Sequence, residues 1–343
     1  MMKKNKNTKK SFVLVAVLSV LSGLTIISVE LSFEASEQVR HIQNLKDELQ
    51  SQLIADAALE IVLNILEDDL RRDPSKDNYS ENLMEKDEMW SKLYVLTPID
   101  ILYGKVWINV NDEMGKLNVN SLVDSTGSSA NRGSVISVLE EFFSKVMNMP
   151  IDSLGLLQGY LDYDTEGVGE DISFTLGGFT ARNYFISFPE EFFSLFKEGL
   201  DEEIFNKLHS RTFQDGRPDV FSSPYLTFWP KGAPLKLNIN TATAEVLASL
   251  RSISTKIDEA FIKDLIKVRK EKPFKSSFDI SNFLSVNGFT PAEIDLLFRH
   301  QLFDTKSDIF SVEIQVEINR IRSGIQSVIK RDLPSKIIFF RRV

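Results

Sequence analysis

The sequence predicts an α+β protein: a long N-terminal helix, transmembrane at first and amphipathic after, a small antiparallel sheet, and a large α-helical domain inserted between its strands. Three observations predict it. Residues 12–29 carry no charge and follow directly on Lys3, Lys4, Lys6, Lys9 and Lys10. Helical periodicity then continues far beyond that segment. Short alternating stretches at 105–110 and after residue 309 bracket nearly two hundred residues of helical pattern.

Each element follows from its pattern. At 1.5 Å per residue the 18 residues of 12–29 span roughly 27 Å, the thickness of a hydrocarbon core. The five lysines in front predict a cytoplasmic N-terminus with the bulk of the chain outside, an inner-membrane, single-pass protein with a periplasmic head. A cleaved secretory signal would have a shorter apolar core followed by small residues. Here Ser28, Val29 and Glu30 lead into more helix, and the small residue at an apolar boundary is Ser11, ahead of Phe12. Val39, Ile42, Leu45, Leu49, Leu53, Ala57, Ile61 and Ile65 recur at three- and four-residue steps, with Glu37, Arg40, Lys46, Asp47, Glu48 and Gln52 between them as a solvated face. One helix is expected from Phe12 to about Leu70, roughly 88 Å long, closed by Pro74. An ordinary anchor with a helical stalk would show the same pattern.

Residues 73–92 are polar and read as a surface connection. Lys105-Val-Trp-Ile-Asn-Val110 alternates as a strand; 111–115 is a turn, and 116–120 is a returning strand or an ordered loop. Ser125 to Gly133 reads as a loop. Helices are expected at 134–147, 151–161, 189–197, 201–208, 243–251, 257–270, 276–284 and 291–298, and strands at 309–318, 321–331 and 336–341. The organisation is thus a basic leader at 1–11, a membrane segment at 12–29, a helix continuation with first strands at 30–110, an inserted helical domain at 111–303, and terminal strands at 304–343.

Composition narrows the function. The net charge is −9, and without the five leader lysines 35 basic residues stand against 49 acidic, a balance of −14. An acidic surface argues against bulk nucleic-acid binding. The chain has no cysteine and three histidines, which excludes disulfides and thiolate chemistry and leaves little for zinc. No constellation of nucleophile and base points to an enzyme.

Two regions carry specific chemistry. In Leu161-Asp-Tyr-Asp-Thr-Glu-Gly-Val-Gly-Glu-Asp171, the carboxylates of Asp162, Asp164, Glu166, Glu170 and Asp171 crowd a glycine-turned loop. Hard cations take six to eight oxygens, and such a loop supplies them, so Ca2+ is the expected ligand. The first six positions mimic an EF-hand loop, but the twelfth is Ser173 instead of the bidentate Glu; a solvated acidic turn is the plainer alternative. In Leu237-Asn-Ile-Asn-Thr-Ala-Thr-Ala-Glu-Val-Leu247, Thr241 or Thr243 is expected to cap the next helix, and Asn238 and Asn240 to fix the loop by Asx-type bonds. Pro273-Phe-Lys-Ser-Ser-Phe-Asp279 opens another capped helix. Residues 237–298 resemble the helix-hairpin-helix family, of the SAM-like kind, whose backbone N–H groups meet phosphate at a glycine-rich hairpin. Residues 250–255 have no glycine and the second hairpin keeps only Gly288, so the phosphate nest is expected to be lost.

Taken together these motifs resemble the protein K family of type II secretion systems, the large minor pseudopilins. The resemblance rests on Ser11-Phe12 behind the lysine leader, on Asp112-Glu-Met-Gly-Lys-Leu-Asn-Val-Asn120, on Leu161-Asp-Tyr-Asp164 with Gly169-Glu-Asp171, and on Leu237-Asn-Ile-Asn-Thr-Ala242. It implies a pseudopilin fold with an inserted helical domain, prepilin cleavage between Ser11 and Phe12, calcium in the insertion, and a place at the pseudopilus tip with minor pseudopilins I and J, aiding export of folded cargo. Val39, Ile42, Leu45, Leu49 and Leu53, with the terminal strands, would form the partner interface. The chain departs from the usual pattern in carrying Ser11 where Gly precedes the cut, and Ala16 where most pilins carry Glu; protein K is itself the family member without that glutamate. A type IV minor pilin and a membrane-tethered helix-hairpin-helix DNA receptor are the alternatives.

Overall fold

The computed structural model describes residues 6–72, 99–101, 104–128, 132–149, 153–163, 183–196, 203–204, 208, 223–299 and 302–343. Helix α1, Lys6–Arg72, runs unbroken for 67 residues, about 100 Å. It holds no proline, and its first part is long and apolar enough to cross a membrane. The hydroxyl of Thr25 donates to the carbonyl of Leu21 one turn back at 2.8 Å, so a polar group in the apolar segment is satisfied within the helix, as lipid demands. Pro74 and the connection after it lie outside the described residues.

The last third of α1 packs on a five-stranded antiparallel sheet of order β1-β2-β7-β8-β9. Its strands are β1 (Ile99–Ile101), β2 (Gly104–Asp112), β7 (Ile309–Ile318), β8 (Ile321–Lys330) and β9 (Lys336–Arg342). β-Branched residues alternating at period two put Val106, Ile108 and Val110 opposite Val316, Ile314 and Val312 on the face that meets the helix. From α1 this core takes Ala55, Ala58, Leu59, Val62 and Leu66, all buried. Ser51, Ala55 and Ala58 are small, which lets the helix approach the sheet closely. Asp47, expected on a solvated face, is instead buried there: the Asn319 amide donates to its Oδ2 and the Gln43 amide to its Oδ1, both at 3.1 Å. The Ser323 hydroxyl donates to Ser51 Oγ at 2.6 Å. At its other end α1 is fastened by Arg331, fully buried, whose Nη1 donates to Asp69 Oδ2 at 2.7 Å. The tight β7–β8 turn places Asn319 and Arg320 at φ 49° and 84°, the left-handed pair that a two-residue hairpin needs.

Between β2 and β7 lies a helical block with its own core. Its elements are β3 (Leu117–Asn118), a 3-10 turn at Val119–Leu122, α2 (Gly133–Glu141) running on into a π-helical turn at Phe142–Val146, α3 (Ser153–Leu161), α4 (Pro189–Phe196), β4 (Leu226–Thr227), β5 (Leu237–Asn238), α5 (Ala244–Ala248) with a 3-10 turn at Ser249–Ser252, α6 (Glu259–Glu271), α7 (Ser277–Val286), α8 (Pro291–Arg299) and β6 (Phe303–Asp304). Phe142, Phe192, Phe228, Leu139 and Leu157 are among its fully buried side chains. Asn111 and Asp112 pair with Ser311 and Phe310 in the sheet, so the sheet keeps two residues that the sequence assigns to the insertion. The 116–120 stretch does not return to the sheet: two residues pair in parallel with β4 and the rest turns into the 3-10 helix. The helix expected at 201–208 lies almost wholly outside the described residues.

The block is built twice over. Leu117-Asn-Val-Asn-Ser121 and Leu237-Asn-Ile-Asn-Thr241 each open on a two-residue strand, closed in parallel by β4 and β6 respectively. In each, the first Asn side chain accepts from the backbone N–H of the second, at 3.1 Å for Asn118 and 3.0 Å for Asn238. In each, the second Asn grips a distant backbone from both sides. Asn120 donates to Ile186 O at 2.8 Å and accepts from Ile186 N at 2.9 Å. Asn240 donates to Phe274 O at 2.9 Å and accepts from Phe274 N at 3.0 Å. Ile186 precedes α4 and Phe274 precedes α7, the corresponding places in the two halves.

Candidate assembly surface and the junction that carries the head

Helix α1 shows two faces. The seam described above faces the sheet. At 100° per residue, Ile42, Leu49 and Leu53 fall roughly opposite that seam, and Val39, Ile42, Leu45, Leu49 and Leu53 are each more than half exposed. They begin about 15 Å and end about 36 Å beyond Val29 along the axis. A bilayer whose hydrocarbon core ends near Val29 does not cover them. Uncovered, each large side chain forgoes about 1.5–3 kcal/mol of burial. Phe12 is exposed on the same helix.

The head is joined to this helix through the exit of β2 and the entry of β7. Asp112 collects four donors: Met114 N–H at 2.8 Å on Oδ1, and the Thr241 hydroxyl at 2.5 Å, the Ser307 hydroxyl at 2.7 Å and the Asn238 amide at 3.2 Å on Oδ2. Beside it Glu113, buried, accepts from Lys116 Nζ at 2.5 Å and from the Ser311 hydroxyl at 2.7 Å. Gly115 is required here, since a Cβ would stand 2.5 Å from Thr241 Oγ1 and 3.0 Å from the Thr241 backbone. Thus the strand exit and the second Asn motif, far apart in sequence, form one polar joint between sheet and block. Thr243, and not Thr241, caps α5, accepting from Val246 N at 3.3 Å, because Thr241 is committed to Asp112.

Loss of water pushes the Asp112 carboxyl from its ordinary 3.8 up to about 6, with the neighbouring Glu113 charge adding to the rise, and the hydrogen bonds from Thr241, Ser307 and Met114 opposing it. The folded chain therefore holds this proton more tightly than the unfolded one. The group favours folding most below pH 3.8, and that contribution is lost as pH rises through 6. Its size is about 2–3 kcal/mol before allowance for the residue's partial exposure. We expect Asp112→Asn to flatten the fall in unfolding free energy between pH 4 and 6.5, measured by urea titration of both chains. An unchanged slope would show that Asp112 does not carry it.

Of the five acidic-loop carboxylates only Asp162 is described. It follows α3 directly, with its N–H donating to Gln158 O at 3.0 Å, and Tyr163 N–H then reaches Gly127 O at 3.4 Å. Asp164, Glu166, Glu170 and Asp171 lie outside the described residues, as does the Val168 carbonyl. The Ser11 backbone is helical. In the hairpin between α5 and α6, no residue of 250–258 has a positive φ, and Arg251 Nε donates to Ile257 O at 3.2 Å across it. Gly288, in the hairpin before α8, has φ 81°, but its carbonyl accepts from Lys256 Nζ at 2.8 Å.

The equivalence of the two Asn motifs is the feature that the sequence reading missed. Its signal was present: the same Leu-Asn-apolar-Asn-hydroxyl pattern occurs twice.

Comparison with known proteins agrees with this geometry. The family model described as type II secretion system (T2SS), protein K matches residues 237–296, the second half of the block. No curated protein matches the sequence significantly. Among solved structures, the chain is similar to a chain of the GspK-GspI-GspJ complex from the enterotoxigenic Escherichia coli type 2 secretion system. That likeness has a TM-score of 0.64 at 16% sequence identity and covers 88% of this chain and 99% of that one. The long helix, the sheet and the inserted block therefore share one fold with that chain.

Proposed function

We propose that this chain is a minor pseudopilin of the protein K type, a non-catalytic, membrane-anchored subunit at the tip of a type II secretion pseudopilus. The observation that carries the reading is the division of α1 into a face packed on its own sheet and an opposite apolar face left exposed beyond the membrane segment. A plain stalk has no use for the second face; a filament subunit does. The fold likeness to a chain solved with GspI and GspJ supports partners of the minor pseudopilin I and J kind. The lysine leader supports an inner-membrane anchor with its N-terminus in the cytoplasm and its head in the periplasm. The DNA-receptor alternative is disfavoured by the hairpin at 250–258, which has no left-handed residue to turn its N–H groups onto a phosphate, and by the acidic charge balance.

The test is the mature N-terminus. From membranes of cells with active prepilin peptidase, mass spectrometry is expected to find a chain beginning at methylated Phe12. Recovery of the intact leader would remove the pseudopilin assignment and leave an ordinary anchor.

Calcium in the acidic loop belongs to the same proposal, with Asp162, Asp164, Glu170 and Asp171 as ligands, joined by Glu166 and the Val168 carbonyl. An all-oxygen donor set suits a hard cation. Asp162 sits just past the C-terminus of α3, where the helix dipole already presents negative charge, so a carboxylate there gains from a cation. The folded chain is expected to melt at a higher temperature in millimolar calcium than in chelator, by mass action on the folded state. Identical melting in the two conditions would eliminate the site.

A further inference from the structure

Strand β9 closes one side of the sheet, and among the described residues no strand lies on its outer edge. Its pairing with β8 fixes which backbone groups face outward. Val343 and Gly324 exchange both hydrogen bonds, at 2.8 and 2.9 Å, and Arg341 and Phe339 stand opposite Gln326 and Val328. Antiparallel alternation then turns the N–H and C=O of Phe340 and Arg342 away from the sheet.

The side chains divide by face. On the block side Phe339 packs against the rings of Phe188 and Trp229, and Arg341 pairs with Glu190 and with Gln326. On the α1 side Arg342 pairs with Asp56 at 3.0 Å and lies over the Phe340 ring. Ile337, Ile338 and Phe340 are 44%, 42% and 44% exposed, although they lie in a strand built of apolar residues. Next to Arg341 a crevice of about 540 Å³ opens between Tyr160, Phe188, Glu190 and Glu191. It sets two carboxylates and two aromatic rings against a single guanidinium, an environment for a cation.

We propose that β9 is a docking edge that takes an antiparallel strand from a partner protein. The partner strand alternates basic residues, facing the Glu190 and Glu191 crevice, with apolar residues facing Phe340. Main-chain bonds to Phe340 and Arg342 supply the pairing, and the two faces supply the choice of sequence. A second copy of this chain is the wrong occupant. Two-fold pairing of β9 with itself about Phe339 sets Lys336 against Arg342, like charge against like. The proposal deepens the tip-subunit reading, since such a subunit has protein neighbours, but its test uses none of them.

The test is an anisotropy titration of the detergent-solubilised full chain with a fluorescent, end-blocked octapeptide of alternating Val and Lys. Two comparison peptides are the Val and Glu analogue and the Val and Lys peptide with alternate backbone nitrogens methylated. We expect saturable binding of the first, binding about tenfold weaker for the acidic peptide, and none for the methylated one. Phe340→Pro, which deletes an outward donor, should abolish binding, while Phe340→Ala, which keeps it, should weaken binding only a few-fold. If Phe340→Pro fails to fold, as judged by its melting curve, the methylated peptide carries the same test alone. No saturable binding of the basic peptide, equal binding of the acidic one, or undiminished binding of the methylated one each overturns the proposal. The chain with Ile42→Asp and Leu49→Asp should bind the peptide normally, which separates this edge from the helix surface.

Discussion

Ile42→Asp combined with Leu49→Asp is expected to abolish co-purification of the chain with its two partner minor pseudopilins while leaving the head folded. Both residues are exposed on the face of α1 turned away from the sheet, so neither substitution opens a cavity in the chain itself. In an assembled filament the same positions would be buried. Each replacement then removes about 1.5–3 kcal/mol of apolar burial and adds the cost of desolvating a carboxylate without a partner. Two such changes exceed the margin of a complex held at micromolar affinity, about 8 kcal/mol, once the charges are counted. Lys263→Glu, on the exposed side of α6, reverses a charge on the block and should leave assembly intact. Normal assembly and secretion by the double variant would mean that α1 is only a stalk.

The second large effect lies inside the block. Asn240→Ala should destabilise it by about 3–5 kcal/mol, since both the N–H and the C=O of Phe274 lose their partner and each buried orphan costs about 1–3 kcal/mol. Domain stabilities of about 5–15 kcal/mol leave little after that. Thr243→Ala, which removes only the cap of α5, should cost about 1 kcal/mol. Urea unfolding of the two variants separates the readings: if they prove equal, the Asn grip is incidental. Asn120→Ala should behave like Asn240→Ala, because Asn120 grips Ile186 in the same way.

The sequence made most elements legible and for a physical reason. The strands at 309–318 and 321–330 alternate strictly, and the helices at 259–271 and 277–286 carry side-chain caps from Asp258 and Ser276, so local chemistry and tertiary need agree. The seam of α1 was harder to read. Its sheet-facing residues include Asp47, Ser51, Ala55 and Ala58, which are small or polar, and large apolar spacing pointed instead to Val39, Ile42, Leu45, Leu49 and Leu53. Those residues do form one stripe, but the chain's own sheet does not use it. Asp47 looked solvated because nothing in the sequence announces that Asn319 will meet it. The joint at Asp112 was likewise invisible, since its donors come from residues 114, 238, 241 and 307. Only the fold brings these together, whereas the Asx bonds of Asn238 and Asn240 are local and were foreseen.

The two ends of the inserted block leave and rejoin the sheet at neighbouring points, where Glu113 N–H donates to Ile309 O at 3.0 Å. A segment with adjacent ends is a cassette: once folded, it closes its own loop and imposes almost no stretch on the strands that hold it. The sheet below needs only a short link between β2 and β7, and the helix below needs only the sheet. Chains sharing this base can therefore enlarge, shrink or exchange the cassette without altering the spacing of α1 in a filament. What the exposed end of such a filament meets can diverge while its lattice stays fixed.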